Sequence, residues 1–427
     1  MTAPARTRGV TILELVIGIG ISAIVLAGSL LLLQQQQHAL QAGNQDRILQ
    51  ETARMALGHI SANLRAAGFG VDPALVLDFG SQSNVRMERA PGVTFNTTSL
   101  QCADANRVTC RDRIDGPDEI VFLSRDPEFG HVLRAAATAG STALTIQGPL
   151  NTPLYPGQIL QVACYSNPMT WAYLQVSSLV SPTSTDTVSV PITASANSTF
   201  PTQNPLLGDT CFSKVALGPP TTIDTTYYAN LQLDAKVFKV DRYRYYVASY
   251  QDPLSGTSRP YLMLDQGLSD AGGNAMVSVV TPDVEDVQFA YVFPNSPDTA
   301  HQLVGTTAGT AIPAGATGID LAPVDGFVVY SDPVAPVAAP TRLTHHPANI
   351  RLVKVSLVVR APAPDLRWTF PGNDQIPAAL NRPAQAGPAH YRRLLVETSV
   401  PLRNLDAQLP YFPTYGFASD QQNPGGG

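Results

Sequence analysis

From Val10 to Leu33 the chain is apolar, with no Lys, Arg, Asp or His and with Glu14 as its one acid. As a helix rising 1.5 Å per residue this run is about 36 Å long, enough to cross a bilayer with some tilt. It passes into "LLLQQQQHALQAGNQ", a polar exit from an apolar phase. Beyond it, Leu49, Ala53, Ala56, Ile60, Leu64 and Ala67 recur at steps of four and three, while Gln50, Glu51, Arg54, His59 and Arg65 fall between them. That spacing gathers the apolar residues into one stripe of an amphipathic helix. Gly68 and Gly70 are expected to stop it. Residues 10–70 therefore read as one long helical spine. Its first half (10–33) belongs in a membrane or a protein core, its second half (34–70) supports a folded domain, and Gly43 marks a weak point between them.

After Asp72 the period changes to that of strands. "DEIVFLSRD", "STALTIQG", "GQILQVAC", "MTWAYLQVSSL" and "DTVSVPI" are short apolar or alternating runs bounded by Gly, Pro and polar residues. "KVFKVDRYRYYVAS", "RPYLMLD", "VEDVQFAYVF", "NIRLVKVSLVVRAP" and "YRRLLVETSVPLRNL" follow. The expected fold class is α+β: the helical spine packed on an antiparallel β-sheet domain made of residues 71–129 and 231–405, with a β-rich insertion at 130–230. The end, 406–427, closes on "QQNPGGG" and reads as a flexible tail.

A length of 427 residues suggests two to three units. The 14% charged fraction and net charge of -6 argue against nucleic acid as a partner, which would call for a basic surface. The four cysteines, Cys102, Cys110, Cys164 and Cys211, show no CxxC spacing and no zinc-like pairing with His, so neither a metal nor another cofactor is expected. If the bulk of the chain is exported, disulfides are the expected state. Three connectivities are open, of which proximity favours Cys102–Cys110 with Cys164–Cys211; four buried thiols are the alternative. His345-His346 is an adjacent pair with no third ligand nearby and reads as loop. Asp115, Asp118 and Glu119 could offer oxygens to calcium but lack EF-hand spacing. Tyr243, Tyr245 and Tyr246 suit strand packing better than a sugar platform. G-x-S-x-G, HExxH and Walker sequences are absent, so no catalytic residues are assigned and the chain is expected not to be an enzyme.

The flank before the apolar run holds Arg6 and Arg8 and no acid, which keeps that end cytoplasmic and sends the C-terminal bulk across the membrane. No small-residue cleavage site follows the run, as it would in a secretory signal. Instead a basic leader (1–9) ends at Gly9, directly before the run. "G-VTILEL" resembles the type IV prepilin signal, with Glu as the fifth residue after the Gly; Val10 stands where Phe or another large residue is usual. "RMALGHISANLRAAGFG" and the later order of "YRYYV", "VEDVQFAYVF", "IRLVKVSLVVRAP" and "YRRLLVETSVPLRNL" resemble minor pilins of the PilW family, above all through Tyr391, Arg392, Arg393, Val400, Leu402, Arg403 and Asn404. The resemblance covers the first 70 residues and 235–405, and is weak between them.

The resemblance implies cleavage between Gly9 and Val10 by a prepilin peptidase and N-methylation of Val10. Glu14, four residues on, would then pair with an N-terminal amine, its own or a neighbour's, and so set register in an assembled filament. Implied partners are other minor pilins, the major pilin, a tip adhesin and the inner-membrane assembly platform. The implied location is the inner membrane with the bulk in the periplasm, then the pilus, at its tip. Implied roles are priming of assembly, adhesion and motility. A pseudopilin of type II secretion and a pilin-anchored periplasmic or surface binding module are the alternative readings.

Overall fold

A computed structural model describes residues 11–71, 76–77, 116–135, 137, 141–164, 171–193, 235–251, 256, 258–292, 319–320, 350–368, 372, 374–380 and 382–406. The spine is a single helix, α1 (Ile12–Ala66), that runs through Gly43 without interruption. Its two halves live in different surroundings. From Ile12 to Leu33 every residue is exposed, and Ile12 and Ile24 are uncovered by 84% and 73%. In the second half Leu49, Ala53, Ala56, Ile60, Leu64 and Ala67 are all buried, and Gln50, Glu51, Arg54, His59 and Arg65 are all exposed. The spacing of apolar residues thus identified the docked face residue by residue.

The helix ends because the chain turns left-handed at Gly68 (φ +80°) and Gly70 (φ +64°), a region that costs a residue with a Cβ. Its last carbonyls are not left bare. Ser124 Oγ donates to Ala66 O, and Asn404 Nδ2 donates to Ala66 O and Ala67 O, while Gly68 N–H donates to Leu123 O. The end of α1 is therefore bolted to two distant parts of the chain.

The strands are antiparallel throughout. β1 (Ile120–Val132), β2 (Ala143–Gln147), β3 (Ile159–Cys164), β4 (Trp171–Val176), β5 (Thr187–Thr193), β6 (Ala235–Gln251), β7 (Ser258–Ser269) and β8 (Ala275–Pro282) form one sheet, in the order β2-β5-β4-β3-β6-β7-β8 with β1 also pairing β6. This sheet closes on itself. Leu133, just past β1, bridges Ile146 of β2, and Arg134 N–H donates to Thr145 O. The ring β1-β2-β5-β4-β3-β6 is a six-stranded barrel, which removes the free edges those strands would otherwise expose. Leu144, Ile146, Leu160, Val162, Leu174 and Val190 fill it as a core of its own. β1 and β6 leave the barrel past a register shift between Arg125 and Gly130 and continue into the open part of the sheet. The division expected at residue 130 falls inside β1, and β3 pairs directly with β6. The described strands of 130–230 are thus built on the same long strands as the rest of the domain.

β9 (Val284–Val292), β10 (Ile319–Asp320), β11 (Leu352–Arg360) and β14 (Arg393–Pro401) make a second sheet in the order β10-β9-β11-β14. β12 (Gln375–Ile376) and β13 (Gln385–Ala386) pair in a small hairpin, and α2 (Arg403–Asp406) follows β14. The docked half of α1 packs on β11 and β14 and touches β8. Its stripe joins Phe122, Tyr245, Val287, Phe289, Val355 and Leu357 in the main core. The architecture is α+β, a long N-terminal helix laid against antiparallel sheet. β8 and the two-residue strands were not expected from the pattern: β8 lacks a buried alternation, with Ala275–Val279 exposed on both faces.

Candidate functional site

Two features carry the functional question: the acid at the start of the spine and the ties between spine and sheet. Thr11, in extended conformation (φ -73°, ψ 150°), caps α1. Its Oγ accepts from Glu14 N–H at 3.2 Å and donates to Glu14 Oε2 at 3.0 Å, and its own N–H donates to the same Oε2 at 3.0 Å. This reciprocal capping box satisfies two donors that a helix start leaves free. It also puts the carboxylate in the first turn, at the positive end of the helix dipole. An acid in an apolar segment is costly when unpartnered. Here two donors and the dipole offset part of that cost within the chain itself. Gly9 and Val10 lie outside the described residues. Within the described residues the partner of Glu14 is Thr11, which caps the helix that starts at Ile12.

The adjoining surface is the exposed half of α1. One described helix, this one, is long and apolar enough to cross a membrane, and its most apolar stretch has no cover from the rest of the protein. Burying a side chain such as Leu or Ile is worth about 1.5–3 kcal/mol, so a row of them bare to water is untenable.

Where α1 docks, Tyr245 of β6 is the main polar tie. Its hydroxyl takes a hydrogen bond from Asn63 Nδ2 at 2.5 Å and shares a proton with His59 Nδ1 at 2.8 Å, and the His59 and Tyr245 rings meet edge-on. Burial pushes the Tyr245 phenol well above its usual range. Phe122 stacks between the rings of Tyr243 and Tyr245. Tyr243 and Tyr245 thus pack in the strand as expected, and Tyr245 also docks the helix, a role the sequence pattern did not indicate. Nearer the exposed half, Arg392 reaches Asp46 of α1 at 3.4 Å and Asp365 at 3.3 Å while lying over the Trp368 ring.

The run "DVEDVQF" supplies a set of buried acids, Asp283, Glu285 and Asp286, each met by an arginine from elsewhere. Glu285 accepts from Arg393 Nε at 2.5 Å and from Arg360 Nη1 at 3.4 Å. Asp283 takes a two-point grip from Arg259, at 2.9 and 2.6 Å. Asp286 meets Arg382 at 2.6 Å; burial pushes its carboxyl up, and Arg382 opposes that. Arg393 and Arg392 are thus placed as fasteners of β14, the strand that α1 covers. Patterns of alternation do not reveal such pairs, since each partner lies far off in the sequence.

Asp118 accepts from Phe289 N–H and Glu119 from Arg244, so both serve the sheet; Asp115 is outside the described residues, as are His345 and His346. Cys102, Cys110 and Cys211 lie outside the described residues too, and Cys164 ends β3 with its side chain undescribed. Among the described residues no group of three or more His, Cys, Asp or Glu is arranged to hold a metal ion. No family model matches the chain, and no curated protein or solved structure matches it.

Proposed function

We propose that this chain is a membrane-anchored, non-enzymatic subunit of a pilus-like filament, resembling a minor pilin of the PilW family. The observation that carries the reading is the division of α1: an apolar half with no cover in the monomer and an amphipathic half whose whole stripe is buried. A bilayer covers the first half before assembly, and neighbouring helices cover it afterwards. A capped acid at its start fits an insertion that is tolerated until a better partner arrives. On this reading the chain is cut between Gly9 and Val10, its bulk sits in the periplasm, and it joins other minor pilins, the major pilin and a tip adhesin to prime assembly. A pseudopilin of type II secretion would share the divided helix, the capped acid, the cleavage and the periplasmic bulk, and the gene neighbourhood separates the two.

The test uses Glu14→Ala and Glu14→Gln in cells lacking the unaltered copy. Both variants should insert in the membrane and be processed, because the leader is unchanged. Both should accumulate there and reduce surface filaments, since neither carries the charge that pairs with an amine, although Gln can still accept a hydrogen bond from one. Normal filament numbers with Glu14→Ala would make the carboxylate incidental and remove the assembly argument.

A further inference from the structure

We infer that a water-binding pocket lies buried behind β9 and β11, sealed by the β12–β13 hairpin, and that its ligand is one or two ordered waters held by Gln288, Ser356, Asp286 and Arg382. The inference starts from register. Ser356 of β11 stands directly opposite Gln288 of β9, and Asp286 lies two residues along β9, on the same face as Gln288. All three are at most 1% exposed.

Their hydrogen bonds are incomplete in a specific way. Both protons of Gln288 Nε2 are spoken for, by Gly116 O at 2.8 Å and Asp286 Oδ1 at 3.0 Å. Those two acceptors fix the amide orientation, because a flipped amide would set oxygen against oxygen. Gln288 Oε1 is then forced to the other side, where it has no donor among the described residues, and Ser356 Oγ opposite it has no partner either. Asp286 Oδ2 touches Arg382 Nη2 at 2.6 Å but is not aligned for a hydrogen bond, and Arg382 Nε also lacks an acceptor.

Buried polar atoms in native proteins are almost always partnered, and several unpartnered ones together mark water or an ion. The choice between the two follows from charge and direction. The Gln288 amide oxygen needs a donor, the Ser356 hydroxyl needs a partner, and the Arg382 Nε–H needs an acceptor. Water supplies both roles. A cation supplies no proton, and it would sit beside a guanidinium. Arg382 closes the pocket: it is 1% exposed, donates to Pro377 O within its own hairpin segment at 2.9 Å, and ties that segment to β9 through Asp286 at 2.6 Å. The tight Ala379–Arg382 bridge, with Leu380 at φ +50°, aims Arg382 inward.

The experiment is a structure of the full chain in detergent at a resolution that shows waters, paired with water-oxygen relaxation dispersion, which counts long-lived internal waters. Density within hydrogen-bond distance of both Gln288 Oε1 and Ser356 Oγ is expected. Gln288→Leu should lower the count of long-lived waters by at least one. A dry cluster, or a protein donor on Gln288 Oε1, would overturn the inference. So would density at shorter metal–oxygen distances that a chelator removes. Should Gln288→Leu not fold, the density in the unaltered chain decides alone.

Discussion

Replacing Ile60 by Ala tests how the spine is joined to the domain. Ile60 sits at the middle of the docked stripe and is 0% exposed. The substitution removes three carbons from a closed site in the main core, where it neighbours residues of two sheets. The loss combines the transfer free energy of the deleted groups with a cavity that a helix bolted at its end cannot collapse easily. A cost of about 2–5 kcal/mol follows from that class of substitution. For a domain of this size that lowers the melting midpoint by about 2 °C per kcal/mol, hence by about 4–10 °C. The control is Leu30→Ala, on the same helix but 55% exposed, which should move the midpoint by less than about 1 °C because exposed sites change stability little. Both proteins would be extracted in the same detergent and followed by near-ultraviolet circular dichroism, which reports the buried tyrosines. Equal midpoints for Ile60→Ala and the unaltered chain would mean that the helix is not part of the folded core, and the two-halves reading would fail with it.

Tyr245→Phe should cost about 1 kcal/mol, because it deletes the hydroxyl shared with His59 and Asn63 while the exposed His59 can turn to water; amide exchange in α1 from residue 56 to 66 should accelerate, and an unchanged rate would deny the tie any role. Burial, followed by the charges of Asp241 and Asp126, pushes the Tyr243 phenol from 10 to about 12. The folded protein keeps that proton where the unfolded chain has lost it, so this stabilisation is whole below pH 10 and fades as pH rises towards 12. Urea midpoints should therefore fall from pH 9 to pH 11, and Tyr243→Phe should flatten that fall; an identical slope would refute the assignment.

Much of this was written in the chain's periodicity. The steps of three and four from Leu49 to Ala67 named every buried apolar residue of the docked stripe, because a helix with one wet face leaves no other solution, while the polar Ser61, buried beside Ile60, escaped the pattern. Short apolar runs between turn residues located β1 to β7, β9, β11 and β14 for the same reason. Closure of the barrel was not legible, since it depends on Leu133 meeting Ile146 across a ring of pairings that no local pattern encodes. β8 was missed because its residues from Ala275 to Val279 are exposed on both faces, which erases alternation. At the helix start Glu14 is conspicuous as the single acid of an apolar run, whereas its partner Thr11 is marked only by a spacing of three, the signature of a capping box. The arginine partners of Asp283, Glu285 and Asp286 were hidden by distance along the chain, the nearest being 24 residues away.

That the mature chain begins at a cut and methylated Val10, as in a pilin-like subunit, is tested by intact-mass analysis of the protein extracted from membranes of cells with an active prepilin peptidase. The expected species is a chain that starts at Val10, lighter by the first nine residues and heavier by one methyl group. Recovery of the unprocessed chain from Met1, in cells whose other prepilins are fully cut, would contradict it.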